Sequence, residues 1–133
     1  MKRFFSSILA LALVLVIGLT GCSAPTPSGL TGNYREDTLA VIETLRTALD
    51  SPMGTPEQAE AQAAARQTIN DFAALYRRDP SLEQLSSFTT MRTALNSLAG
   101  HYSAYPNRPV PDKLKQRLET EFGRIEIALS RGA

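Results

Sequence analysis

The chain has 133 residues, of which 43% are hydrophobic and 20% are charged, and its formal net charge is +1. This length predicts one domain, and the composition is typical of an ordinary soluble fold. The near-neutral charge gives no indication of nucleic-acid binding, the single Cys excludes an intramolecular disulfide, and the single His leaves most His-based catalysis and His-rich metal sites out of reach.

The first 21 residues have the pattern of a secretory leader. Lys2 and Arg3 precede an uncharged apolar run at residues 8–19, which is shorter than the roughly 20 residues that a helix needs to span a bilayer. The sequence LTGC ending at Cys22 resembles the bacterial lipobox, whose cysteine is lipidated after cleavage. We therefore predict a lipoprotein signal peptide at residues 1–21. The alternative is an uncleaved anchor helix with an incidental free cysteine.

A lipid on Cys22 would hold the mature chain at a membrane surface, on the side away from the cytoplasm. The residues that follow are rich in Pro, Ser, Gly and Thr and carry no charge, which is the composition of a flexible linker. We predict a lipidated tether at residues 22–32 and a bundle domain at residues 33–133.

Helix one is predicted from Asn33 to Asp50, with Thr31 or Asn33 as its N-cap. Glu36 and Asp37 in its first turn suit the positive end of the helix dipole. Its apolar face consists of Tyr34, Val41, Ile42, Leu45, Ala48 and Leu49, and Leu39 lies near the flank of this face.

Helix two has a clear start signal in the sequence TPEQ at residues 55–58. The threonine is the expected N-cap, the proline occupies the first helical position, and the glutamine completes a capping box. The helix is predicted to run to about Arg78, and Asp79-Pro80 ends it. The apolar positions of its second half are Ile69, Phe72, Ala73 and Tyr76. Arg77 and Arg78 then lie in the last turn, where cations suit the carbonyl end.

Helix three is predicted from Ser86, with Ser86 or Ser87 as its N-cap. Its apolar positions recur at helical spacing: Phe88, Met91, Leu95, Leu98 and Tyr102. The sequence YPNRPVP at residues 105–111 follows, and its three prolines predict a stiff, extended loop.

Helix four is predicted from about Pro111 to Arg131, with an apolar face of Leu114, Leu118, Phe122, Ile125 and Leu129. No segment of the chain alternates with the period of two that predicts a strand. The sequence therefore predicts an all-α fold, an antiparallel up-down-up-down four-helix bundle.

We find no motif for catalysis or for metal binding. His101 is interpreted as a residue near a helix end whose charge suits the dipole, or which bonds a loop carbonyl. The carboxylate pairs Glu36/Asp37 and Glu119/Glu121 are predicted on or near solvated faces, where they would not serve as an acid and a base. We expect no enzymatic activity, no cofactor and no metal.

Exposed arginines and the proline loop are the candidates for binding a partner, because Arg makes bidentate contacts and is enriched at interface hot spots. For residues 77–80 the alternative is a simple helix stop, and for the tyrosines it is packing. The predicted partner-binding residues are Arg77, Arg78, Asp79, Arg92, Tyr105, Asn107, Arg108 and Pro109.

Four stretches form a distinctive set: LTGNY at residues 30–34, EDTLAV at 36–41, YRRDP at 76–80 and the run from Ser86 to Pro111. Together they resemble the small photosystem II assembly and repair lipoproteins of cyanobacteria, the Psb27 family. The last stretch is the most specific, and the resemblance covers the mature chain and the lipobox.

The resemblance implies a four-helix bundle held by its lipid on the luminal face of the thylakoid membrane, with no enzymatic activity and no cofactor. It implies binding to photosystem II complexes that lack the manganese cluster, chiefly through luminal loops of the inner-antenna chlorophyll protein of about 43 kDa. It also implies delayed attachment of the extrinsic subunits. We expect a monomer. The alternative is a generic membrane-anchored lipoprotein that binds a small ligand or another envelope protein.

Overall fold

The computed structural model describes residues 26–133, so the predictions on the leader and on Cys22 lie outside the described residues. Within this range the chain forms four α-helices and no strand, which confirms the all-α prediction. The elements are α1 (Tyr34–Asp50), α2 (Pro56–Tyr76), a single 3-10 turn (Pro80–Leu82), α3 (Ser86–Ala104) and α4 (Asp112–Ser130).

Consecutive helices pack against each other in opposite directions, and contacts of α1 with α4 and of α2 with α3 close the bundle. The ring of Tyr34, at the start of α1, lies 5.6 Å from that of Tyr76, at the end of α2. The Gln62 amide, near the start of α2, donates to the Pro106 carbonyl just after α3. The bundle thus has a Tyr34 end, around Tyr34 and Tyr76, and a loop end, around residues 105–111.

The predicted apolar faces form the core. Nearly every position of the four predicted apolar faces is buried. Leu39, which was predicted at the flank of the face of helix one, is 38% exposed. The core contains Val41, Ile42, Leu45, Ile69, Phe72, Phe88, Met91, Leu95, Leu98, Leu118, Phe122, Ile125 and Leu129. Hydrophobic periodicity was therefore sufficient to identify the buried face of each helix.

Two of the predicted N-caps are confirmed. The side chain of Asn33 accepts from the Glu36 N–H at 3.2 Å, and that of Thr55 accepts from the Gln58 N–H at 3.1 Å. The capping box is incomplete among the described residues, because the Gln58 side chain accepts no bond from the Thr55 N–H; its amide donates to Gln62.

Two predictions at helix ends are wrong. Helix α3 begins at Ser86 with Leu85 as its N-cap residue and no side-chain cap; Ser87 is buried, and its hydroxyl pairs with that of Tyr34 at 2.8 Å. Helix α2 ends at Tyr76, so Arg77 and Arg78 lie just beyond its last turn and not within it.

The segment at residues 26–32, which we call the strap, was predicted to belong to a flexible tether, and the structure corrects this. Leu30 is buried in the core. The Ser28 N–H donates to the Asp71 carboxylate at 3.0 Å, and the Leu30 N–H donates to the Thr26 hydroxyl at 2.9 Å. Leucine burial and the bond to Asp71 hold the strap on the bundle, and the bond between Leu30 and Thr26 fixes its internal shape. The composition of the segment was therefore a poor guide to its flexibility.

Candidate partner-binding surface

A buried carboxylate holds the strap against the Tyr34 end. Asp37 is 2% exposed and accepts from the Thr31 N–H at 2.8 Å, the Thr31 hydroxyl at 2.9 Å and the Gly32 N–H at 2.9 Å. The Tyr76 hydroxyl donates to the same carboxylate. Gly32 has φ of +90°, a conformation that favours glycine and lets its N–H turn toward Asp37.

The hydrogen bonds decide the ionisation of this cluster. Burial by itself raises the pKa of Asp37, but the bonds from Thr31, Tyr76 and Gly32 outweigh it, so the pKa lies below its ordinary value. Burial, followed by the bond to Asp37, raises the pKa of Tyr76. The tyrosine therefore stays protonated and donates, while the aspartate stays charged and accepts.

The prediction that the two carboxylate pairs are solvated is wrong for one member of each pair. Asp37 is enclosed by the strap. Glu121 is 9% exposed; Arg117 Nε donates to its Oε1 at 3.2 Å, and its Oε2 has no hydrogen-bond partner among residues 26–133. Glu36 and Glu119 are exposed as predicted. Helical spacing alone could not show that the strap covers one side of α1.

A groove of about 270 Å³ runs along the surface between α2 and α3, and we call it the α2–α3 groove. Its floor is apolar and its rim carries cations and an amide. The floor consists of Ile69, Phe72, Ala73, Phe88 and Leu95, and the rim of Arg77, Arg92 and Asn96.

The rim of this groove is cationic. The guanidinium carbon of Arg92 lies 5.9 Å from the centre of the Phe88 ring, within the range of a cation–π contact. Within residues 26–133 no carboxylate oxygen comes within 4.0 Å of a nitrogen of Arg77 or Arg92. Helix α3 contains no Asp or Glu at all. The groove thus presents positive charge above an apolar floor.

The loop end displays the second group of candidate residues. The guanidinium carbon of Arg108 lies 5.5 Å from the centre of the Tyr105 ring, and Tyr105 is 49% exposed. His101 Nε2 lies 3.5 Å from the Arg108 carbonyl oxygen, which fits the predicted bond to a loop carbonyl. Asn107 and Pro109 are exposed. The prediction of an extended loop is wrong for its first half, where the Arg108 N–H donates to the Tyr105 carbonyl at 3.2 Å and closes a turn. The loop is therefore held by its neighbours while its side chains face solvent.

The predicted partner-binding residues fall into two groups at opposite ends of the bundle. Arg77 and Arg92 line one groove, and Arg78 follows directly in the chain and is exposed. Asp79 has a local role as well, because its carboxylate accepts from the Ser81 N–H at 3.0 Å and from the Ser81 hydroxyl. Arg108 lies at the other end and lines a different groove.

Two arginines that the sequence did not single out join pairs of helices. Arg66 of α2 donates to the Tyr102 carbonyl near the end of α3. Arg46 of α1 lies 3.2 Å from Glu119 and also pairs with Glu126, both on α4. No sequence signal identifies such pairs, because the partners lie on helices far apart in the chain.

The described part of the chain contains no cluster of three or more His, Cys, Asp or Glu side chains that could hold a metal ion. Among residues 26–133, no helix combines the length and apolar character needed to cross a membrane. The exposed, chemically distinctive features are thus the α2–α3 groove and the proline loop, both of which are suited to contact with another molecule.

The sequence model of the family described as Photosystem II Pbs27 matches residues 4–129 of this chain. The chain belongs to this family. The match spans all four helices, including the residues that line the α2–α3 groove and the proline loop.

Individual members of the Psb27 family are also similar. The chain is 61% identical to the photosystem II assembly factor lipoprotein Psb27 of Thermosynechococcus vestitus, over 100% of this chain and 98% of the relative. It is 34% identical to the chloroplastic photosystem II repair protein PSB27-H1 of Arabidopsis thaliana, over 99% of this chain and 77% of the relative.

A solved structure has the same fold. The solution structure of Psb27 from cyanobacterial photosystem II superposes with a TM-score of 0.76 at 52% identity, covering 84% of this chain and 96% of that one. This agreement confirms the four-helix bundle and the resemblance seen in the sequence.

Proposed function

We propose that the protein is a non-enzymatic assembly and repair factor of photosystem II. The observation that carries the proposal is membership of the Psb27 family over residues 4–129. Two relatives, named an assembly factor lipoprotein and a repair protein, support the same role.

In this proposal a lipid on Cys22 holds the bundle, as a monomer, on the luminal side of the thylakoid membrane. There it binds photosystem II complexes that lack the manganese cluster, chiefly at luminal loops of the inner-antenna chlorophyll protein of about 43 kDa, and delays attachment of the extrinsic subunits. Confinement to the membrane raises the effective concentration of such a docking module.

The strap supports a defined orientation. Only residues 23–25 separate Cys22 from Thr26, a distance of at most about 14 Å in extended chain. Because the strap is fixed to α1 and α2 by bonds to Asp37 and Asp71, the lipid holds the Tyr34 end toward the membrane. The loop end then points away from it.

The test is binding of the full lipidated chain to photosystem II membranes whose manganese cluster has been removed with hydroxylamine, compared with intact membranes. We expect retention on the depleted membranes and little on the intact ones, measured by quantitative immunoblotting. Equal retention on both preparations, or none on either, would refute the proposed role.

The predicted interface residues are tested on the same membranes. We expect Arg78→Ala and Arg108→Ala together to weaken retention while circular dichroism shows unchanged helicity. Arg124→Ala, an exposed arginine of α4, is the matched control. Because the first two arginines lie at opposite ends, each single variant shows which end contacts the complex. Unchanged retention of the double variant removes both from the interface and leaves the family role intact.

A further inference from the structure

We propose that the α2–α3 groove is a docking site for a polypeptide segment that inserts one apolar side chain onto its floor and sets carboxylates against Arg77 and Arg92. This inference rests on the proposed function and deepens it, since it states which surface binds and the chemistry of the segment that it accepts.

The size of the groove fits a side chain better than a separate ligand. Its volume of about 270 Å³ is below the roughly 300–1,000 Å³ of pockets that enclose small molecules. The floor residues Phe72, Phe88 and Leu95 are buried in the core, and the floor is therefore a rigid apolar surface. An apolar anchor placed on a rigid, desolvated floor is the arrangement found at interface hot spots.

The arginines at the rim of the groove favour a partner segment that carries carboxylates. Arg77 and Arg92 are exposed and have no carboxylate partner within the described residues, so two sets of guanidinium donors are free. The Phe88 ring holds the Arg92 guanidinium at the edge of the groove. The Arg92 side chain therefore loses less conformational entropy when a partner binds. The planar guanidinium groups of both arginines favour bidentate bonds to carboxylates, and a cationic rim selects against a basic segment.

A polypeptide fits these features better than an anionic membrane does. Lipid surfaces are recognised by clusters of about four to eight Lys or Arg side chains, whereas this groove has two arginines on either side of an apolar floor. The amide of Asn96 at the rim can bond to a peptide backbone as donor and acceptor at once. The occupant is therefore a peptide segment with an apolar residue beside Asp or Glu.

One pair of variants tests the floor. Ala73 is half-buried and lines the groove, and Ala74 is exposed and does not line it. We expect Ala73→Phe to fill the groove and reduce co-purification of the full chain with photosystem II complexes about tenfold or more, while Ala74→Phe leaves it unchanged. The host is a photosynthetic cell that lacks its own homologue.

A second pair tests the rim without altering the core. Arg92→Glu reverses an exposed charge, and we expect it to reduce co-purification about tenfold or more. Arg124→Glu is the control on α4, outside the groove. Urea unfolding of each purified variant verifies that it folds. Since Arg92 is exposed, this pair keeps the test decisive even if Ala73→Phe perturbs packing.

A photoreactive benzophenone side chain at position 96 identifies the occupant, with position 120 on α4 as the control. We expect position 96 alone to cross-link a partner peptide that carries Asp or Glu next to an apolar residue. A cross-linked lipid, or a peptide without carboxylates, overturns the proposal.

The two proposals fail in different ways. If the unaltered chain is absent from photosystem II complexes, the proposed function is refuted. If the unaltered chain is present and both Ala73→Phe and Arg92→Glu are retained at the same level, the docking site alone is refuted.

Discussion

At the level of single residues, Asp37 fixes the strap against the first two helices of the bundle. Its carboxylate is buried, and four donors from Thr31, Gly32 and Tyr76 surround it. A buried charge is tolerated when its hydrogen bonds are satisfied, and here the donors belong to the strap and to the last residue of α2. One side chain therefore joins the strap, α1 and α2.

We predict that Asp37→Asn lowers the free energy of unfolding by about 2–4 kcal/mol at neutral pH, because it removes charge-assisted bonds and points an amide N–H at other donors. The pKa of Asp37 is lower folded than unfolded, so its stabilisation is complete above about pH 4 and is lost as the pH falls through the folded pKa. The difference in the free energy of unfolding between Asp37→Asn and the unaltered protein should therefore become smaller at acid pH.

Urea unfolding across a pH series measures this difference, with Glu36→Gln, the exposed neighbour, as the control. Glu36→Gln should differ by less than about 0.5 kcal/mol, as surface substitutions usually do. A difference for Asp37→Asn that stays constant from neutral to acid pH would exclude the carboxylate charge as the cause.

At the level of elements, the strap behaves as part of the bundle. Leu30 fills space in the core, and the amides of Thr31 and Gly32 are bonded to Asp37. A segment with such burial and bonding should open with the bundle and not before it.

We predict that Leu30→Ala lowers the free energy of unfolding by about 2–3 kcal/mol, the lower part of the range for leucine-to-alanine changes in a core. Leu39→Ala is the matched control, since that leucine is 38% exposed and should cost less than about 1 kcal/mol. Hydrogen exchange of the Thr31 and Gly32 amides provides a local readout. Rapid exchange of both amides in the unaltered protein would show that the strap is loose.

At the level of the whole molecule, acidic and basic charges nearly cancel. The described residues hold all the acidic residues of the chain and all its basic residues except Lys2 and Arg3. The net charge therefore gives the protein little attraction to a charged partner. Any salt dependence of binding has to come from local features, of which the α2–α3 groove is the clearest.

We predict that raising the ionic strength weakens retention of the unaltered chain on manganese-depleted photosystem II membranes, because the arginine–carboxylate contacts at the groove rim are exposed enough to be screened. Arg92→Gln should bind more weakly at low salt and respond less to added salt. Parallel salt curves for the two proteins, measured by immunoblotting, would place the charged contacts elsewhere. Arg124→Gln, outside the groove, should reproduce the curve of the unaltered chain.

Much of the fold could be predicted, and little of the surface could. The caps at Asn33 and Thr55 were predicted because a side-chain oxygen at such a position bonds to an N–H within its own first turn. The proximity of Arg77 and Arg92 was not predicted, because a helical period identifies the buried face of each helix but not how one helix is rotated against its neighbour. Asp37 was misjudged for the same reason, since the strap that covers it lies outside the helical pattern.

The sequence by itself determined the four helices, their buried faces, the break between the last two helices at residues 105–111 and the family resemblance. These depend on local chemistry: side-chain period, capping hydroxyls and amides, and the restricted backbone of proline. Only the tertiary structure decided that the strap is packed, that Asp37 is buried and charged, and that two arginines share one apolar groove while Arg108 lies at the other end. Those features depend on contacts between residues distant in the chain, and such contacts exist only once the helices have taken their relative positions.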